Sequence, residues 1–110
     1  MPLSTHVLDI ARGSPAAGVS VRLCRVDGGD SKEIASARTD GDGRVASPFG
    51  GDLSAGTYEL AFAAGAYFAQ SQTRSFYDEI TIRFRIDDPG ARYHVPLLLS
   101  PWGYSTYRGS

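Results

Sequence analysis

Residues 80–86 read Ile-Thr-Ile-Arg-Phe-Arg-Ile, with Ile80, Ile82, Phe84 and Ile86 alternating against Thr81, Arg83 and Arg85. That period of two belongs to a strand with one buried face, and a helix would need apolar side chains every three or four positions. Asp87-Asp88-Pro89-Gly90 ends the segment, because Pro cannot donate to a ladder and Gly accepts turn dihedrals.

The same alternation recurs on both sides of this stretch. Downstream, Tyr93, Val95, Leu97 and Leu99 oppose His94, Pro96 and Leu98, and a further strand is expected over 104–107. Pro96 suggests an edge strand or a bulge there. Upstream, Tyr58, Leu60 and Phe62 share a face; Val19, Val21 and Leu23 share another; and Leu3, Thr5 and Val7 oppose Ser4, His6, Leu8 and Ile10. Asp27-Gly28-Gly29-Asp30 reads as a hairpin turn into a strand over about 33–39, and Arg44-Val45 begins a return after Asp40-Gly41-Asp42-Gly43. Arg12 to Gly18, with Pro15, reads as a break, and 50–56 as a loop. The Ala-rich 63–72 segment is the one candidate helix, weakened by Gly65. Seven or eight short strands with one short helix predict an all-β, antiparallel β-sandwich.

The 110 residues suit one domain, 1–110, with a modest core. Eleven basic residues against twelve acidic ones, a net charge of −1 without blocks of either sign, give no nucleic-acid footprint. No apolar run reaches a membrane span, and the opening Met1-Pro2-Leu3 carries no secretory pattern. Cys24 is the single cysteine, which excludes an internal disulfide and suits a reducing compartment. A cytoplasmic protein is expected.

His6 and His94 are the two histidines. An imidazole exchanges protons near neutrality, yet from spacing alone each reads first as a half-buried strand residue satisfied by its neighbours. They fall short of a zinc ligand set, and Cys24 lies far from both in sequence. Arg44 leaves a glycine-rich turn that could aim its guanidinium at an anion, or it is a solvated charge. Asp40-Gly41-Asp42-Gly43 does not continue as a calcium loop, since Arg44 takes the next ligand position. Ser105 and Ser110 lack a nucleophile elbow. Leu97-Leu98-Leu99 is apolar on both faces, which suggests an oligomer interface. The ending is unusual: Trp102, Tyr104 and Tyr107 crowd the last nine residues, and a docked tail is expected.

Four stretches together resemble the 5-hydroxyisourate hydrolases of the transthyretin-like family: STHVLD with His6, TDGDGR with Arg44, YHVPLLLSP with His94, and the closing YRGS, residues 107–110. The resemblance implies a transthyretin-like sandwich, a homotetramer with active sites in a channel between subunits, and metal-independent, cofactor-free hydrolysis of 5-hydroxyisourate to 2-oxo-4-hydroxy-4-carboxy-5-ureidoimidazoline in urate degradation. It further implies His6, Arg44 and His94 as catalytic residues and Tyr107, Arg108, Gly109 and Ser110 as substrate-binding residues; the chemistry then asks for a histidine base, with His6 favoured over His94 and the choice between them open, and for Arg44 at the oxyanion. The alternative it raises is a carrier of the thyroid-hormone type without catalysis.

Overall fold

The computed structural model describes residues 3–110. The expectation that no leader precedes the domain rests partly on Met1 and Pro2 and lies outside these residues. Among the described residues nine strands form two sheets: β1 Leu3–Asp9, β2 Ser14–Pro15, β3 Ser20–Asp27, β4 Asp30–Arg38, β5 Arg44–Val45, β6 Gly56–Phe62, β7 Ile80–Ile86, β8 Tyr93–Ser100 and β9 Gly103–Thr106, with one helix, α1 Ala64–Gln70. One sheet runs β2-β1-β8-β9, with β5 also on β1, and the other runs β4-β3-β6-β7. The strand beyond those expected is β2, of two residues; β5 is the return expected at Arg44-Val45. Pro15 read as a breaker because its missing N–H rules out a central strand, but an edge strand tolerates it.

The alternation seen in sequence becomes the core. Leu3, Val7, Val21, Leu23, Leu60, Phe62, Ile80, Ile86, Leu97 and Leu99 are all buried between the sheets. Every pairing is antiparallel except β1 with β8, which run parallel from Leu3↔Tyr93 to Asp9↔Leu99. The expected antiparallel sandwich is what forms, with that one parallel ladder within it. Alternation cannot report strand direction, because side chains face alternately up and down in either sense.

Pro96 is neither at an edge nor at a bulge; β8 lies between β1 and β9. His94 O accepts Gly109 N–H at 2.7 Å, so by alternation the backbone groups of residue 96 face the same side. There β9 has lost its main-chain ladder beyond Leu97↔Thr106, and Pro96 O takes the Thr106 hydroxyl at 2.7 Å instead. The missing N–H falls where no acceptor waits.

Gly65 sits in α1 because Asp78 passes against it: its N–H donates to Asp78 O at 2.7 Å, and a Cβ would lie 2.9 Å from Asp78 Oδ1. No helix among the described residues is long and apolar enough to cross a membrane. The helix is tied to β1 through Asp9, only 1% exposed, whose Oδ1 accepts the amides of Ala11 and Arg12 at 3.1 Å and whose Oδ2 accepts the Tyr67 hydroxyl at 2.8 Å. Burial, then the bond to Asp9, raises the Tyr67 pKa, so the phenol stays a donor. Tyr67→Phe leaves a buried carboxylate oxygen short of its partner, and urea unfolding should show a loss of about 1–3 kcal/mol; a variant as stable as the parent would show that water replaces the phenol.

Candidate active site

The inner faces of β1 and β8 belong to the core, so their outer faces are free to carry polar groups. On β1 these are Ser4 and His6, both half-buried, followed by Leu8. The parallel register sets Ser4 opposite His94 and Leu8 opposite Leu98. On the other side of β1, β5 sets Arg44 opposite His6. Residues as far apart as 6, 44 and 94 are therefore cross-strand neighbours on one sheet face.

A cavity of about 300 Å³ opens on this face, lined by Ser4, Arg44, Ser47, Arg92, Tyr93, His94 and Ser110. His6 stands at its margin: it is not a lining residue, but lies cross-strand from Arg44 and two positions along β1 from Ser4. His94 Nδ1 shares a 2.8 Å hydrogen bond with Ser4 Oγ. Partial burial first, then the charges of Arg44 and His6, lower the His94 pKa and favour the neutral ring. His6 Nε2 lies 2.9 Å from the Asp42 carbonyl oxygen. A carbonyl only accepts, so Nε2 carries the proton and the neutral ring keeps its lone pair on Nδ1. The guanidinium groups of Arg44 and Arg92 form no hydrogen bond or ion pair with another described residue, leaving both to meet a ligand's negative charge.

The tail is docked, but by its backbone. β9 pairs with β8, and Gly109 returns to bridge His94. Of its aromatic side chains, Trp102 and Tyr107 remain 65% and 58% exposed, while the Tyr104 ring packs edge-on against Tyr77 at 5.2 Å. Gly109 is required by closeness: a Cβ there would lie 2.6 Å from His94 Cδ2. The four closing residues divide between two places. Gly109 and Ser110 adjoin His94, whereas Tyr107 and Arg108 line a separate groove of about 600 Å³ with Ile82, Phe84 and Tyr93. Arg108 lies 4.4 Å over the Tyr93 ring and donates to Arg92 O at 3.0 Å, so it steadies the segment that carries Arg92 toward the cavity.

Ser4, Ser47 and Arg92 line the cavity without having been singled out from sequence. Ser4 had a signal, its place two residues before His6 on the same strand face. Arg92 directly precedes Tyr93-His94, and Ser47 lies in a loop where no periodicity applies.

A Deinococcus radiodurans protein named 5-hydroxyisourate hydrolase is 50% identical over 113 residues, covering 98% of this chain and 95% of its own length. The solved structure of Klebsiella pneumoniae 5-hydroxyisourate hydrolase superposes with a TM-score of 0.89 at 41% identity, covering 100% of both chains. Sea bream transthyretin, solved in complex with thyroxine, superposes with a TM-score of 0.87 at 26% identity, covering 99% of this chain and 95% of that one. The family model described as HIUase/Transthyretin matches residues 3–109, and the chain belongs to that family.

Proposed function

We propose that this protein is a hydrolase that opens 5-hydroxyisourate to 2-oxo-4-hydroxy-4-carboxy-5-ureidoimidazoline in urate degradation. The observation that carries the reading is the convergence of His94, Arg44 and Ser110 on one cavity with His6 beside it, in a chain 50% identical to a protein of that name. The carrier alternative is not favoured, because a cavity with a histidine and two guanidiniums that are unpaired among the described residues suits a reacting polar substrate better than an apolar ligand.

The chemistry asks for three things. Water must lose a proton as its oxygen attacks the ring carbonyl, the carbonyl oxygen must be stabilised as it gains negative charge, and the ring nitrogen must gain a proton as the C–N bond breaks. His6 is the proposed base: its Nε2–H is fixed on the Asp42 carbonyl, which steadies the imidazolium formed when Nδ1 takes the water proton. Arg44, opposite His6, is the proposed oxyanion partner. His94 is proposed to hold water or substrate and to relay the proton to the departing nitrogen. Gly109 and Ser110 wall the cavity, and Tyr107 and Arg108 support it from the neighbouring groove. Residues 1–110 work as one domain in the cytoplasm, where a reducing medium preserves the buried thiol of Cys24. The proposed assembly is a homotetramer with sites at subunit interfaces, supported by the apolar pair Leu8 and Leu98 on the same outer face as the histidines.

Freshly generated hydroxyisourate decays with a measurable ultraviolet signal, and the protein should accelerate that decay. His6→Ala and His94→Ala should each slow it by about 10²–10⁴-fold, and Arg44→Ala by about 10²–10³-fold, with thermal midpoints close to the parent. A folded His6→Ala protein of parental rate would remove the proposed base.

The electrostatics of His94 are separately measurable. Arg44→Ala removes one of the causes that favour neutral imidazole, so the His94 titration followed by NMR should move upward while burial retains part of the shift. No movement would mean that Arg44 points away from the ring. Gly109→Ala forces a methyl group against His94 and should cut turnover more than it lowers the thermal midpoint; a fully active variant would reduce the tail to packing.

A further inference from the structure

The turn between β4 and β5 is tied down more firmly than a connection of its length requires. Asp40 Oδ1 accepts the amide protons of Asp42 at 2.9 Å and Arg44 at 3.0 Å. The Asp40 amide donates to Arg44 O at 2.9 Å, and the Asp40 carbonyl accepts Gly43 N–H at 2.9 Å. Gly43 O then takes the Val7 amide at 2.7 Å, which seats the turn on β1. Gly43 has φ of +75° and lies so close to Val7 O and Pro15 that a side chain has no room.

Two functional groups are placed by this turn. The Asp42 carbonyl receives His6 Nε2–H, and Arg44 begins β5 opposite His6. The amides of Arg44 and Asp42, followed by the nearby charges of Arg44 and His6, lower the Asp40 pKa, so its carboxylate is ionised and a full acceptor at neutral pH. The side chain is exposed and does not line the cavity.

We infer that Asp40 is a positioning residue: its carboxylate shapes the turn so that the Asp42 carbonyl fixes the His6 tautomer with Nδ1 as the proton-accepting atom, while Arg44 is held across from it. The inference rests on the hydrolase reading for its consequence in turnover, but its structural half is readable without substrate.

Three substitutions separate geometry from charge. Asp40→Asn keeps a side-chain oxygen in place and loses the charge; Asp40→Glu keeps the charge and displaces the carboxylate by one methylene; Asp40→Ala loses both. With kcat and KM from hydroxyisourate decay, Asp40→Ala and Asp40→Glu should lower kcat by about 10- to 100-fold with little change in KM, as misplacement of catalytic groups does. Asp40→Asn should stay within about threefold of the parent. The ¹⁵N shifts of the His6 imidazole, recorded without substrate, should show protonated Nε2 in the parent and Asp40→Asn, and a mixture of tautomers in the other two. Should Asp40→Ala not fold, Asp40→Glu carries the comparison. Parental kcat and His6 shifts in folded Asp40→Ala or Asp40→Glu would overturn the inference, as would an active Asp40→Glu beside an impaired Asp40→Asn, which would assign the effect to charge. A parent protein that leaves hydroxyisourate decay unchanged would defeat the hydrolase reading, and the nitrogen shifts would still decide the role of Asp40.

Discussion

The parallel ladder between β1 and β8 is the constraint from which the rest follows. Seven consecutive pairs, Leu3↔Tyr93 to Asp9↔Leu99, join the two ends of the chain. A one-residue slip of either strand would turn its apolar set outward, Leu3 and Val7 or Leu97 and Leu99, and carry Ser4 or His94 into the core, so burial on one face enforces the register on the other. The hydroxyl of Thr5, 1% exposed, locks the same ladder by donating to Val95 O at 2.6 Å. The apolar core thus sets the spacing of polar groups that take no part in it.

Much of this was legible beforehand because strand alternation is a local signal. Ile80 to Ile86, Leu3 to Asp9 and Tyr93 to Ser100 appear as strands close to their expected limits, with the expected residues inside. The illegible parts are those where contact across the sequence decides. The 50–56 loop gave no periodicity, yet Leu53, with Phe49 just before it, is 5% exposed in the core, because a loop closing one end of a sandwich packs by shape and not by period. The tail is docked as its composition suggested, but the contacts that hold it were not legible: backbone pairing to β8, Tyr104 against Tyr77 and Arg108 over Tyr93.

The residues of the proposed site were legible in a similar way. His6, Arg44 and His94 could be named from their stretches, but not brought together, since adjacency depends on one parallel ladder and one two-residue strand. The functional meaning of Asp40-Gly41-Asp42-Gly43 was also hidden. As a sequence it resembled a failed calcium loop; in the fold its acceptors are turned onto amides of its own backbone. A carboxylate occupied in this way stabilises the conformation of the turn from which β5 starts.

The near coincidence of this fold with a thyroxine-bound transthyretin, at a TM-score of 0.87, shows how little the backbone alone decides. Two sheets must bury their inner faces in either protein, and that requirement leaves the outer face of β1 and β8 unconstrained. Here it carries two imidazoles, and the adjoining cavity has two guanidiniums unpaired among the described residues. Such a surface costs stability through unpaired charge and gains nothing for packing. On that face the proposed site combines imidazoles held by hydrogen bonds to Ser4 and the Asp42 carbonyl with guanidiniums that meet no such partner among the described residues.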